Sequence, residues 1–113
     1  MYDNLFIVMI DQTIIQKVVD VLRSARPDAT IILFGSHARG DAGEHSDLDL
    51  LVVETEVKAR RREMNYLSDL LRPLRIPADI MVTSRKIYKE WSRIPGTVIY
   101  AAAKEGKVLY VAA

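Results

Sequence analysis

The stretch of sequence that decides the fold is Asp47-Leu48-Asp49-Leu50-Leu51-Val52-Val53. Its apolar, partly β-branched second half predicts a buried strand. Successive side chains on a strand point to opposite faces, so Asp47 and Asp49 share one face. Two carboxylates this close repel each other, and a hard divalent cation with oxygen ligands would relieve that repulsion. The alternative is an acidic pair exposed at the start of a strand, without a ligand.

Two further apolar runs predict the neighbouring strands of a sheet. Residues 30–34 are largely β-branched and end in a tight turn at Gly35-Ser36, while residues 78–83 contain a single acid, Asp79. An acid in an apolar strand is costly to bury without a partner. If this strand lies beside residues 47–54, Asp79 joins the acidic pair. The alternative is that Asp79 pairs with a nearby arginine.

Helical segments alternate with these strands. Apolar spacing predicts long helices over 11–26 and 56–74. Two shorter helices are expected over 84–91, capped by Ser84, and 98–104, with Pro95 as an early helical residue. Gly106 ends the last helix before a final short strand at 107–111. This alternation predicts an α/β fold in which helices cover a small sheet.

The composition is that of an ordinary globular domain. The 113 residues are 50% hydrophobic and 27% charged, so we expect one domain over 1–113. The absence of cysteine excludes disulfides and thiolate metal sites. No apolar run approaches the roughly 18 residues of a membrane span. Residues 1–10 lack the pattern of a signal peptide. A cytoplasmic protein without membrane association is the expectation.

The net charge of +1 does not indicate a general attraction to nucleic acid, and no direct nucleic-acid contact is expected. The charge is nevertheless uneven, because ten of the 15 acidic residues precede position 57 and 12 of the 16 basic residues follow position 56. Such asymmetry indicates either an anionic ligand or partner, or ordinary solvated surfaces of one domain. The basic stretch 58–62 is interpreted as a solvated helix face, and His37 and His45 as exposed loop residues.

The turn at Gly35-Ser36 has features of a phosphate-binding loop. A glycine at the end of a strand lets the backbone approach a ligand closely, and amides at a following helix start can bind phosphate oxygens. Ser36 adds a hydroxyl, and Arg39 could add a charge-assisted contact. The spacing fits neither a Walker A loop nor a dinucleotide fingerprint. Three carboxylates beside a phosphate-binding turn suit metal-assisted phosphoryl or nucleotidyl transfer.

The combination of Gly35-Ser36, Asp47-Leu48-Asp49 and Asp79 resembles the signature of the DNA polymerase β nucleotidyltransferase superfamily. The fuller runs 35–40 and 46–53 resemble its minimal nucleotidyltransferase (MNT) branch. The resemblance continues through 95–98 and 105–110, and it covers nearly the whole chain after Asp11.

The resemblance implies a small mixed sheet flanked by helices and a set of site residues. Asp47 and Asp49 would bind two Mg²⁺ ions. Asp79 would be the third carboxylate, acting as metal ligand and general base. Gly35 and Ser36 would hold the phosphates of ATP, with Arg39 assisting.

The resemblance also implies a partner. Many MNT proteins are antitoxins paired with a HEPN-domain ribonuclease toxin, and members of that group transfer AMP from ATP to a tyrosine hydroxyl of the toxin. This chain is then expected to be a protein adenylyltransferase of a toxin–antitoxin system. One alternative is a small-molecule acceptor, as in aminoglycoside nucleotidyltransferases, with a homodimer supplying a shared cleft. The other is a non-catalytic antitoxin that neutralises its partner by binding.

Overall fold

The computed structural model describes residues 12–43 and 45–112. The expectation made for residues 1–10 therefore lies outside the described residues. The elements follow one another as α1 (Gln12–Ala25), β1 (Thr30–Phe34), α2 (Ser36–Arg39), β2 (Leu48–Glu54), α3 (Arg60–Leu71), a 3₁₀ turn (Arg72–Leu74), β3 (Ala78–Ser84), α4 (Arg85–Trp91), α5 (Val98–Glu105) and β4 (Lys107–Tyr110).

The strands form one mixed sheet in the order β3-β2-β1-β4. β1 pairs antiparallel with both β2 and β4, whereas β2 and β3 are parallel. Parallel neighbours need a crossover connection, and α3 supplies it. The predicted mixed sheet flanked by helices is confirmed. Because β2 and β3 run in the same direction, their first residues lie at the same end of the sheet.

Both faces of the sheet are covered, which explains why the central strands are apolar without alternation. On one face, Leu48, Leu50 and Val52 belong to a core that includes buried side chains of α1 and α3. On the other face, Leu51 and Val53 pack with Ile32 of β1, Ala102 of α5 and the partly buried Tyr88 of α4. Along β2 every residue is buried except Asp49, which is half-buried.

The helix boundaries differ from the predictions where turn chemistry decides them. α3 begins at Arg60 instead of residue 56. The last turn of the predicted helix is a 3₁₀ turn, because Pro73 has no amide hydrogen to donate to the helical hydrogen bonds. Pro95 lies in the turn before α5, because Thr97 is the N-cap and accepts the Tyr100 amide at 3.1 Å. The predicted cap at Ser84 is confirmed, since its hydroxyl accepts the Ile87 amide at 3.2 Å.

Across the described part of the chain, no helix has the length and apolar character that crossing a bilayer requires.

Candidate active site

The three aspartates predicted from the sequence meet at one end of the sheet, where β2 and β3 begin. Asp49 of β2 and Asp79 of β3 are directly paired in the parallel register. The Leu48 amide donates to the Pro77 carbonyl at 2.9 Å, which aligns the two strand starts. Asp47 immediately precedes β2 and has the same strand parity as Asp49. Asp47 and Asp79 are exposed, whereas Asp49 is half-buried.

The electrostatics of Asp49 reflect this crowding. Partial burial raises the pKa of Asp49 above its ordinary value, and the negative charges of Asp79 and Asp47 raise it further. His37 and Arg39 act in the opposite direction with smaller effect. None of the three carboxylates forms an ion pair with any residue that the structure describes. The cluster therefore has an uncompensated negative charge that a cation would relieve.

The backbone of Gly35 packs closely against the Asp49 carboxylate. It directly follows β1, with φ at 73°, a left-handed conformation that favours glycine. A Cβ at this position would overlap the Asp49 carboxylate oxygen. The backbone turn and the acid therefore lie in direct contact, and no other residue type fits between them. The Gly35 carbonyl accepts the Ala38 and Arg39 amides at 3.1 and 3.0 Å, which folds the short α2.

Ser36 and His37 begin α2 beside the cluster. Ser36 is half-buried, and its carbonyl accepts the amides of Gly40 and Asp41 at 3.0 and 3.1 Å. His37 differs from its interpretation as an exposed loop residue: it is half-buried, and its Nε2 lies 3.0 Å from the Ser46 carbonyl oxygen. This bond ties α2 to the segment that leads into Asp47. His45 is exposed, as expected.

Glu105, at the end of α5, is a site residue that the sequence reasoning missed. Its Oε1 accepts from the Gly35 amide at 3.3 Å and from Arg39 Nη1 at 3.0 Å. Arg39 Nε also donates to Asp41 at 3.1 Å. Arg39 is thus held by two acids and is not a free guanidinium. The signal that the sequence offered was the family resemblance over residues 105–110, a run that begins with Glu105.

The donor set fits a hard divalent cation of the Mg²⁺ type. Within the described ranges, no three carboxylate, imidazole or thiolate groups are arranged to enclose a metal ion. Mg²⁺ does not require such a cage, because proteins commonly hold it through one or two carboxylates plus substrate phosphates. Asp47 and Asp49 supply two carboxylates on one face, next to a turn that can approach a ligand closely. All six predicted site residues thus lie on two neighbouring segments and the start of β3.

The Nucleotidyltransferase domain family matches residues 15–108. "Putative protein adenylyltransferase MJ0604" of Methanocaldococcus jannaschii is 32% identical over 84 residues, which are 71% of this chain and 76% of that protein. "Putative protein adenylyltransferase MJ1305" of the same organism is 59% identical over 32 residues. That second match covers 28% of this chain and spans 22% of the relative.

Solved structures share the fold. A structure described as a "putative nucleotidyltransferase" from Sulfolobus solfataricus superposes with a TM-score of 0.62 at 20% identity, covering 88% of this chain and 78% of that one. A tri-AMPylated HEPN toxin in complex with MNT antitoxin, from Shewanella oneidensis, gives a TM-score of 0.56 at 19% identity and covers 88% and 71%. At these identities the likeness concerns the fold. Together with the family match over most of its length, it establishes that the chain belongs to the Nucleotidyltransferase domain family.

Proposed function

We propose that this chain transfers AMP from ATP to a tyrosine hydroxyl of a HEPN-domain toxin and thereby acts as its antitoxin. The observation that carries the proposal is the register of Asp49 with Asp79, together with Gly35 packed against the Asp49 carboxylate. Carboxylates without basic partners, next to a backbone turn, suit a substrate that brings both phosphates and a cation.

The proposed reaction assigns a separate task to each group. The acceptor oxygen attacks the α-phosphorus of ATP, the bond from that phosphorus to the oxygen bridging to the β-phosphate breaks, and pyrophosphate leaves. A carboxylate oxygen of Asp79 takes the proton of the acceptor hydroxyl. Asp79 suits this task because it is exposed at the start of β3, where an acceptor from outside can reach it.

Asp47 and Asp49 would hold Mg²⁺, in a pair of ions if the family pattern applies. When bound there, Mg²⁺ neutralises the triphosphate and the leaving pyrophosphate. The Ser36 hydroxyl and the backbone at Gly35 hold the phosphates, since glycine removes the side chain that would block their approach. Arg39 assists at longer range, because two acids already bind its guanidinium.

The acceptor is assigned to a partner protein for two reasons. The relatives MJ0604 and MJ1305 are named as protein adenylyltransferases, and the Shewanella oneidensis structure contains an AMPylated HEPN toxin with an MNT antitoxin. In addition, Asp47 and Asp79 of the acidic cluster are exposed among the described residues, so a protein surface can approach them.

The test is incubation of the purified chain with the product of the neighbouring gene, which we expect to be a HEPN-domain protein, together with ATP and Mg²⁺, followed by intact-mass spectrometry of both proteins. We expect the partner to gain the mass of one or more AMP groups on tyrosine. No gain should occur with Asp47→Ala or in the presence of a chelator. Tight complex formation without any mass change would favour neutralisation by binding alone. Antibiotic resistance conferred by this chain alone would favour a small-molecule acceptor.

A further inference from the structure

A groove of about 620 Å³ lies between β3 and the helices α4 and α5. Its lining is mostly apolar and includes Met81, Ile87, Trp91, Val98 and Ile99. Ile87, Trp91 and Val98 are 37%, 45% and 46% exposed, although large apolar side chains of this kind are normally covered. A contiguous apolar surface rimmed by polar residues is typical of a binding site.

Strongly basic segments form the rim of this groove, and Arg60 is the basic residue among its lining side chains. Residues 57–62 and 84–93 flank it and contain eight basic residues and one acid, Glu90. The basic residues are Lys58, Arg60, Arg61, Arg62, Arg85, Lys86, Lys89 and Arg93. In the described part of the chain, every ion pair lies elsewhere and none of these eight side chains takes part in one. Among these eight side chains, only Arg60 and Arg85 form a hydrogen bond within the described residues, each to a backbone carbonyl at 2.9 Å. The rim is thus complementary to an acidic ligand.

The groove comes within two residues of the candidate active site along β3. Met81 lies two residues after Asp79 on the same face of β3, which places the two side chains about 7 Å apart along the strand. A molecule that contacts Met81 in the groove would therefore lie close to Asp79, the proposed proton acceptor. This position suits the part of a partner that flanks the hydroxyl to be modified.

We propose that this groove docks an amphipathic, acidic segment of the protein that receives AMP, with its apolar side chains against Trp91 and Val98 and its carboxylates on the basic rim. The proposal rests on the proposed function, because it identifies the occupant as the acceptor protein. Single-stranded nucleic acid fits less well, since the lining offers one indole among aliphatic side chains and no series of stacking rings. A symmetric second copy fits less well too, because an isologous contact would bring two basic rims together.

Matched variants of the full chain test the proposal, with the product of the neighbouring gene, expected to be the HEPN-domain partner, as the probe. Calorimetry should give a Kd at least tenfold weaker for Trp91→Ala and for the double variant Lys58→Glu, Lys86→Glu, whose two residues adjoin Val57 and Ile87 of the groove lining. Val98→Ser should weaken binding about threefold. Val108→Ser and Lys107→Glu are the controls, because these residues are also exposed but lie on β4, at the opposite edge of the sheet. Both controls should change Kd less than twofold.

A second measurement separates docking from catalysis. The Asp49→Asn variant should bind the partner with unchanged Kd and fail to transfer AMP, whereas the groove variants should bind a non-hydrolysable ATP analogue normally. Binding without transfer by the unaltered chain would overturn the proposed function and leave the groove assignment standing. Normal partner binding by both the Trp91 and the charge-reversal variants would overturn the groove assignment alone.

Two further outcomes would assign the groove to another occupant and so overturn the proposal. One is tight binding of an oligouridine of about 20 nucleotides that Trp91→Ala abolishes. The other is a dimer in sedimentation velocity that Val98→Ser dissociates and Val108→Ser does not. Hydrogen exchange gives the direct readout, because the partner should protect residues 85–99 and leave residues 107–110 unchanged.

Discussion

Carboxylates lie close together at both ends of β2, but only one of the two clusters pairs with a basic side chain. At the end of the strand, Glu54 lies beside Glu63 of α3, and Arg26 binds Glu63 through two bonds of 2.6 and 2.9 Å. Arg26 also lies 3.8 Å from Glu54. At the start of the strand, Asp47 and Asp49 meet Asp79, and no arginine or lysine of the described chain pairs with them.

The protonation of these acids follows from this difference. Burial, then the hydrogen bond with Glu63, raises the pKa of Glu54 to about 8, so Glu54 keeps its proton at neutral pH. The bonds from Arg26 lower the pKa of Glu63, so the pair shares one negative charge beside one cation. This cluster contains its own cation, Arg26, although the buried Glu54 Oε2 has no hydrogen-bond partner among the described residues. The cluster at Asp49 is incomplete without a cation from outside, and that is why we interpret only the latter as a ligand site.

The largest expected effect comes from Asp49→Asn. The change removes a carboxylate from the centre of the proposed metal site, so AMP transfer should fall by at least about a hundredfold. Its thermal midpoint should stay the same or rise, because one of three repelling charges is gone. Intact-mass kinetics and a thermal melt measure the two effects. A large loss of stability would mean that Asp49 is structural, like Glu54.

Gly35→Ala should have the next largest effect. The new Cβ would overlap the Asp49 carboxylate and would hold a strained left-handed backbone, which together destabilise the fold by about 3 kcal/mol. Transfer should fall because Asp49 must move. The control is Gly40→Ala, which has φ at 85° but nothing within 4 Å of the new atom. It should lose only about 1 kcal/mol. Urea unfolding compares the two, and equal losses would refute the fitted contact.

Much of the fold could be predicted from the sequence, because the apolar runs are bounded by strong turn residues. β1 and the start of β3 matched the prediction, and the caps at Ser84 and Gly106 followed from local chemistry. The three aspartates were also identified, but their meeting depends on the parallel pairing of β2 and β3. From the sequence, the neighbouring position of the two strands could be stated only as a condition. Strand order depends on contacts between residues that are far apart in the chain.

The contacts that complete the site could not be predicted. Glu105 lies 66 residues from Arg39 and 70 from Gly35, and no local pattern connects them. The Glu54 cluster was missed for the same reason, because Arg26 directly follows α1 whereas Glu63 belongs to α3. A sequence pattern identifies acids in a strand, whereas the presence or absence of a basic partner depends on tertiary packing.

Glu54→Gln should raise stability by about 2 kcal/mol at pH 8 relative to the unaltered chain, and by less at pH 5.5. The sign follows from the raised pKa of Glu54: its stabilising contribution is full below the unfolded pKa near 4.5 and declines as pH rises towards 8. The lowered pKa of Glu63 acts in the opposite direction, but its contribution is complete once pH exceeds the unfolded value. Glutamine can donate to Glu63 as the protonated acid does, without this decline.

Urea unfolding at the two pH values measures the Glu54→Gln effect, with Glu56→Gln as the matched control, since Glu56 is exposed and two residues away. The control should leave the pH dependence unchanged. If Glu54→Gln instead lowers stability at pH 8, then the Glu54 carboxylate is charged there and stabilised by Arg26. The contrast between the two ends of β2 would then disappear.

The smallest expected effect comes from Arg39→Met, and it asks whether the candidate site truly lacks a cation of its own. The ion pairs of Arg39 with Asp41 and Glu105 are largely exposed, so the free energy of unfolding should change little. The KM for ATP should rise a few-fold with kcat nearly constant, because the guanidinium acts on the phosphates only at longer range. Arg39→Lys keeps the charge and should restore most of the affinity. A loss of kcat comparable to that of Asp49→Asn would instead place Arg39 on the reacting phosphate, and the site would then have an internal cation, as the Glu54 cluster does.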